Sequence, residues 1–290
     1  MKIVMTLLVR DEEDIIRQNI EFHLNHGVDF FIVTDNLSGD GTRDILEAYW
    51  QLGVLHYIYE PEDNYAQGVW VTRMAKLAVT QFGADWVINS NADEFWWAKY
   101  EKDLKAVLRH VPASVPGLRV RRHNFVPRPR TGDVSFLETM VYRQTFSVNG
   151  LGKLLPPKIC YRALSDFSVA QGNHEVFVEG AKLNVSETNE LSIFHFPVRT
   201  LSQISQKIEK GGAAYMRSDL PVEIGAVWRM LYVMYKQEGL DRYFEGQFYD
   251  DSRLRRALAE GVLLEDRRLL QYFRDKGLST EPGPSLSRFK

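Results

Sequence analysis

Two periodicities alternate along the first hundred residues, and this constrains the fold more than any other feature of the chain. Lys2–Val9, Phe30–Thr34, Val54–Tyr59 and Ala84–Ser90 are compact apolar runs, as buried strands are. Between them lie segments with apolar residues at helical spacing. Asp11–Asn25 carries Ile15, Ile16, Ile20 and Leu24, and a second set is Ile45, Leu46, Tyr49 and Trp50, with Asp40 or Thr42 as cap. Gln67–Phe82 carries Val71, Met74, Leu77 and Ala78. Strand and helix in strict turn, with short connections, build βαβ units and a parallel sheet. Ligands of such sheets sit beyond the carboxyl ends of the strands. The segments there are Arg10–Glu13, Asp35–Gly41, Pro61–Gly68 and Asn91–Trp97, which are also the polar, glycine-containing ones.

The middle of the chain reads differently. Gly117–Val126, Phe136–Phe146, Lys158–Arg162 and Leu191–Phe196 look like strands, punctuated by prolines. From about Thr200 the expectation is helical, over Ser202–Gly212, Pro221–Gln237, Ser252–Ala259 and Leu264–Lys276. The expected organisation is one α/β domain over 1–199, with a nucleotide half over about 1–97 and an acceptor half over about 98–199. A helical C-terminal extension follows over 200–290.

With 290 residues the chain can bury a large core without disulfides, and its one cysteine, Cys160, fits a reducing compartment. A net charge of −2 disfavours a global grip on nucleic acid. No apolar run is long enough to span a membrane, and Met1–Arg10 lacks the pattern of a secretory signal. The stretch Trp228–Tyr235 is strongly apolar and reads as core or subunit interface rather than anchor. The expected location is the cytoplasm, with peripheral contact at the inner membrane left open.

The sharpest candidate for chemistry is Asp85–Trp97, where a buried strand runs into Asn91, Asp93 and Glu94. Carboxylates at a strand end beside a crevice suit a hard divalent cation that neutralises a diphosphate. The plain alternative is that they cap the next turn. In Val33–Arg43, Asp35 can accept hydrogen bonds from a base or ribose, and the glycines let backbone approach a ligand; a capped strand–helix turn explains the same residues. Acids in Arg10–Glu13 also fit as complements to a helix dipole. Arg119, Arg121, Arg122, Arg128 and Arg130 suit an acidic acceptor or a charged edge strand. Trp70, Trp96, Trp97 and Tyr65 suit sugar stacking or core packing. His23, His26, His56 and His110 read as structural or surface groups.

Three motifs in order, Val9–Glu13, Asp35–Thr42 and Asn91–Phe95, resemble those of family 2 glycosyltransferases and their relatives with the GT-A nucleotide-sugar fold. The resemblance is closest to the branch with an Arg-Asn-Glu-like start and an Asp-Ala-Asp-Glu-Phe motif. Lys158, Gly172–His174, His195–Arg199 and Lys207–Gly212 extend it to about residue 215. One departure is Asn91 where the family usually has Asp; its oxygen can still ligate but brings no charge.

The resemblance implies a GT-A-type, Rossmann-like, mostly parallel sheet flanked by helices. It implies a glycosyltransferase of hexosyltransferase type, using a UDP or GDP sugar with Mn²⁺ or Mg²⁺, by inversion in the simplest mechanism. It implies Asp93 as direct metal ligand, joined by His195 and Asn91, and Glu94 in a supporting or acceptor-side role. Arg10, Glu12, Asp35, Asn36 and Arg73 would surround the nucleoside, and Lys207 with Lys210 the diphosphate. His174 or Glu175 would face the acceptor as base, with Asp166 as an alternative. The acceptor class is a glycan, a lipid-linked molecule or a small molecule. The competing readings are a nucleotidyltransferase, whose Gly-rich loop after the first strand is missing here, and a non-catalytic nucleotide-sugar or carbohydrate-binding protein.

Overall fold

The computed structural model describes residues 1–63, 66–129 and 134–281. Its first part keeps the alternation: β1 (Ile3–Val9), α1 (Ile16–Asn25), β2 (Phe30–Asp35), α2 (Thr42–Gln51), β3 (Leu55–Tyr59), α3 (Gln67–Thr80) and β4 (Trp86–Ser90). Then come β5 (Glu94–Ala98), α4 (Leu104–Arg109), β6 (Gly117–Val120), β7 (Arg122–Asn124), α5 (Phe136–Thr139), β8 (Tyr142–Gln144) and β9 (Lys158–Arg162). The short strands β10 (Ser168–Val169), β11 (Val176–Val178), β12 (Ala181–Lys182) and β13 (Ser186–Glu187) precede β14 (Leu191–His195). Last are α6 (Leu201–Lys207), a π-helical turn over Ile208–Gly212, α7 (Ala213–Arg217), α8 (Ala226–Lys236), α9 (Leu240–Gln247), α10 (Asp251–Ala259), β15 (Leu263–Glu265) and α11 (Arg268–Lys276).

The expected mostly parallel α/β sheet is present, in the order β13-β6-β9-β4-β1-β2-β3. Only β9 runs against its neighbours. Side-chain alternation along β1 divides the core. Ile3, Met5, Leu7 and Val9 join Ile16, Ile20, Ile45 and Leu46 on the α1–α2 side. Val4, Ile32 and Val87 meet Val71, Met74, Ala75 and Ala78 of α3 on the other. The register pairs Val9 with Asp35, Asp35 with Tyr59, and Leu7 with Ser90. The loops after β1, β2, β3 and β4 therefore leave the sheet along one edge.

A second sheet, β5-β14-β7, stands at that edge. It pairs His195 with Glu94 and with Asn124. Alternation puts Glu94, Trp96, Ile193, His195, Arg122 and Asn124 on one face, and Phe95, Trp97, Phe194 and His123 on the other.

Several expected elements differ. Gly117–Val126 is two strands, because β6 stays in the large sheet on β9 while β7 crosses to β14. Phe136–Phe146 is not one strand: Ser135 Oγ accepts from the Leu137 amide at 3.3 Å and opens the short α5 before β8. Within Leu264–Lys276 only α11 is helical, since β15 pairs with β8. Helix α9 was not expected at all, and α8 starts at Ala226 because Gly225 is left-handed, at φ 76°. The C-terminal chain returns to the first half, where Phe273 stacks on Phe22 at 6.4 Å. Among the described residues no helix is long and apolar enough to cross a membrane.

Candidate active site

The loops after β1 and β2 are bound to each other rather than merely adjacent. The Glu12 amide donates to Thr42 Oγ1 at 2.8 Å, and the Asp11 amide to Ser38 Oγ at 3.0 Å. In return the Gly39 amide donates to Asp11 Oδ1 at 2.8 Å and the Gly41 amide to Glu13 Oε2 at 2.7 Å. A Cβ on Gly41 would lie 2.7 Å from that same Glu13 oxygen, so a larger residue there would push the Glu13 carboxylate aside. Much of the Asp35–Thr42 motif thus builds the floor of the crevice.

The turn after β4 delivers Asp93 to a group of fixed charges. Lys207 Nζ lies 2.9 Å from Asp93 Oδ2 and 3.0 Å from Glu12 Oε1. Arg199, fully buried, donates to Glu12 Oε2 at 2.7 Å, to both oxygens of Asp14 at 2.6 and 2.8 Å, and to the Phe196 carbonyl at 2.9 Å. Burial opposes ionisation of Asp93, but Lys207, His195 and Arg199 outweigh it and hold its carboxyl well below the usual range. Burial pushes the Glu12 carboxyl up, against the pull of Lys207 and Arg199. Burial also works against the charge on Lys207, but Asp93 and Glu12 raise its pKa above its ordinary value.

Asp93 Oδ1, in contrast, is buried with no hydrogen-bond partner among the described residues. His195 Nε2 faces it at 3.7 Å. The other ring nitrogen is 2.7 Å from Asn124 Oδ1. Asn124 Nδ2 points at the Val148 carbonyl at 3.1 Å and Gln144 Oε1 at 3.4 Å, which fixes the amide with its oxygen toward the ring. His195 therefore carries its proton on Nδ1 and turns the Nε2 lone pair to Asp93. Burial leads in lowering its pKa to about 4, with Asp93 opposing and Arg122 assisting, so the ring is neutral at pH 7. A lone pair and a bare carboxylate oxygen facing each other repel unless a cation lies between them. The pair fits a divalent ion with an N,O donor set and bound-ligand oxygens for the rest. No group of three or more His, Cys, Asp or Glu placed to hold a metal occurs among the described residues. Asn91 adds no carboxylate; its amide N–H donates to Glu94 Oε2 at 3.1 Å.

Beside this pair, Glu94 is fully buried and meets Arg122 Nη1 at 3.3 Å and Lys158 Nζ at 3.4 Å. Lys158 also donates to the Gly172 carbonyl at 2.8 Å, and burial, against the pull of Glu94, lowers its pKa to about 8. His174 Nδ1 is 2.9 Å from the Pro157 carbonyl. Burial, then Lys158 and Arg122, lower its pKa to about 2. A Cβ on Gly172, at φ 81°, would lie 2.7 Å from that ring. Glu175 turns away to Arg119 at 3.4 Å and Lys182 at 3.5 Å.

The structure thus brings together Glu12, Asp93, His195 and Lys207, with His174 alongside through Lys158. Other expected residues sit further along the edge. Asp35 is fully buried and accepts from Tyr57 Oη at 3.0 Å and the Ser38 amide at 3.1 Å. Asn36 donates to the Glu60 and Glu62 carbonyls, Arg73 pairs with Glu60 at 2.9 Å, and Arg10 with Asp63 at 2.7 Å. Lys210 is held by Asp11, and the alternative base Asp166 by Lys76 at 3.1 Å. Trp96 is buried with Nε1 on Ser90 Oγ at 2.9 Å, and Trp97 stacks on Phe194 at 5.4 Å, so both pack the core instead of a sugar. Trp70 is buried as well. Tyr65 and Arg130 lie outside the described residues. Sequence reasoning missed Arg199 and Asn124 as site residues. Alternation on β7 was the signal available for Asn124, because it shares a face with Arg122.

The family model described as glycosyltransferase family 92 matches residues 4–239. No curated protein matches the sequence. Among solved structures the chain is similar to TarS 1–349 of S. aureus at 15% identity and a TM-score of 0.44, over 84% of this chain and 72% of that one. It is also similar to the mannosyltransferase PcManGT of Pyrobaculum calidifontis, in complex with GDP-Man and Mn²⁺, at 13% identity and a TM-score of 0.41, over 96% of this chain and 81% of that one.

Proposed function

This chain belongs to glycosyltransferase family 92, and on that premise we propose that its crevice binds a UDP or GDP sugar together with Mn²⁺ or Mg²⁺ held by Asp93 and His195. The chain is a glycosyltransferase; the donor, the metal and the stereochemistry are our reading. One observation carries the metal site: the unpartnered Asp93 Oδ1 faces the Nε2 lone pair of a neutral His195 at 3.7 Å. Held by Asp93 and His195, such an ion would supply positive charge to the departing diphosphate.

The chain's own residues do the rest. Asn124 fixes the tautomer of His195. Arg199 and Glu12 anchor Lys207, whose ammonium, with that of Lys210, supplies positive charge for the diphosphate. Arg10, Asp35, Asn36 and Arg73, at the ends of β1 and β2 and on α3, are assigned to the nucleoside, and Asn91 lends its amide oxygen beside the metal. An acceptor hydroxyl on a glycan, lipid-linked or small molecule attacks the anomeric carbon as the bond to the diphosphate oxygen breaks, inverting configuration. Of the two acceptor-side candidates, Glu175 is engaged by Arg119 and Lys182, while His174 makes no ion pair among the described residues. We assign the hydroxyl proton to His174 as the new C–O bond forms; because burial, Lys158 and Arg122 make its imidazole a weak base, this role requires the negative charge of the bound diphosphate to raise its basicity.

A second reading rests on Lys207 Nζ at 2.9 Å from Asp93 Oδ2, a fixed cation already at the carboxylate. In that reading transfer needs no metal, and Asn91 lacks a charge because none is required. Release of nucleoside diphosphate from a panel of UDP and GDP sugars, with EDTA and with Mn²⁺, separates the two. Turnover restored by Mn²⁺ and absent in His195→Ala supports the metal reading. Full turnover in EDTA supports the lysine.

A further inference from the structure

The face of the small sheet turned away from Asp93 carries charge that the transfer reaction does not use. Alternation on β7 sends Arg122 and Asn124 to the crevice and His123 to the opposite side. Arg121 and Lys99, just outside β7 and β5, share the parity of His123 and Trp97. Arg268 of α11 confirms the placement, since its guanidinium lies 4.9 Å from the Phe194 ring and 5.8 Å from Trp97. Arg143 of β8 completes the group, with Nη1 3.5 Å from His123 Nδ1.

The charges here do not balance. Asp266 takes Arg143 Nε at 2.8 Å and Arg268 Nε at 2.8 Å. Glu190 acts on Lys99. Lys99 and Arg121 make no ion pair, and Arg143 Nη2 and Arg268 Nη1 make no hydrogen bond, among the described residues. Burial, then Arg268 and Arg143, presses the Lys99 ammonium below its ordinary value. Burial, then Arg143, Lys99 and Arg268, lowers the His123 pKa to about 4. The Arg143 side chain is 18% exposed and that of Arg268 42%, so the cluster is open to solvent. Five basic groups gathered beside Asp266 and Glu190, with one uncommitted terminal nitrogen on each of the Arg143 and Arg268 guanidinium groups among the described residues, suit a multiply charged oxyanion.

We propose that Lys99, Arg121, His123, Arg143 and Arg268 form an anion site for a phosphate group, on the reverse of the sheet that holds His195. It does not depend on the donor or metal reading. Its ligand is the phosphate of a soluble molecule or of a lipid headgroup. The site adjoins the crevice through the two residues flanking His123, since Arg122 holds Glu94 and Asn124 holds His195.

The test follows the His123 imidazole by NMR, assigned with His123→Asn, while inorganic phosphate is added to the full chain at constant ionic strength. The expected result is a saturable rise in the pKa of His123, and at least tenfold weaker apparent affinity in Lys99→Ala and in Arg121→Ala. Both substituted side chains are free of ion pairs among the described residues, so folding is expected to survive. A second arm adds vesicles with anionic phospholipid. Saturation by free phosphate identifies a soluble ligand, and saturation by vesicles alone identifies a headgroup. A His123 signal indifferent to both, or the same response in wild type and both variants, overturns the proposal.

Discussion

Asp93 divides its two oxygens between opposite partners, and the site's chemistry follows from that division. Oδ2 is committed to Lys207, and Oδ1, without a hydrogen-bond partner among the described residues, faces a neutral imidazole at 3.7 Å. Asp93→Ala should reduce transfer by roughly a thousandfold, as loss of a main electrostatic group does, while circular dichroism stays native. Asn124→Ala removes the acceptor that fixes the His195 tautomer. Losing such an outer partner should weaken Mn²⁺ binding by about 10–100-fold, which titration with the metal would read, with activity partly recovered at high Mn²⁺. At this scale the sequence exposed Asp93 and His195 because each stands in a recognisable motif. It did not expose their supports, since Asn124 lies 71 residues from His195 and Arg199 lies 187 from Glu12. Such pairs exist only after the strands have aligned.

The segment from α6 through the π-helical turn to α7 works as one strap. It sends Lys207 to Glu12 and Asp93, Lys210 to Asp11, and Arg217 to Asp63, which also holds Arg10. The π turn is seated on α8 at a glycine. A Cβ on Gly212 would lie 2.6 Å from Tyr232 Cβ, closer than packing allows. Gly212→Ala should therefore lower stability by about 1–3 kcal/mol and displace Lys207, seen as a lower melting temperature and a raised KM for the donor. The first four strands and three helices were readable from periodicity because each is long enough to show a full apolar face. Elements such as β7, β8 and α5, of three or four residues, show no period. Their state is decided by Ser135 capping and by the crossing from one sheet to the other.

Across the whole molecule, five of the seven histidines are held neutral. Burial is the leading cause in each, lowering His23 to about 3, His26, His123 and His195 to about 4, and His174 to about 2. In the unfolded chain these rings titrate near about 6.5. Above that pH both states carry neutral rings. Below it the unfolded state binds protons that the folded state refuses, so stability falls as the pH drops toward 4. Melting temperature should be flat from pH 8 to 7 and decline steeply between 6 and 4.5. His23 and His26 share this burden inside the core, accepting from the Trp96 and Ala98 amides at 3.0 and 3.1 Å. His23→Phe leaves the Trp96 amide unpaired and should destabilise at pH 7, while reducing the acid slope.

In our reading Asp93 and His195 hold a cation that brings a nucleotide with it. Calorimetric titration of UDP and GDP into the full chain, with and without Mn²⁺, in wild type and Asp93→Ala, tests this most directly. One nucleotide should bind in the presence of Mn²⁺, at least tenfold more weakly without it, and Asp93→Ala should abolish the difference. Equal affinity with and without the metal in the wild-type chain would contradict it.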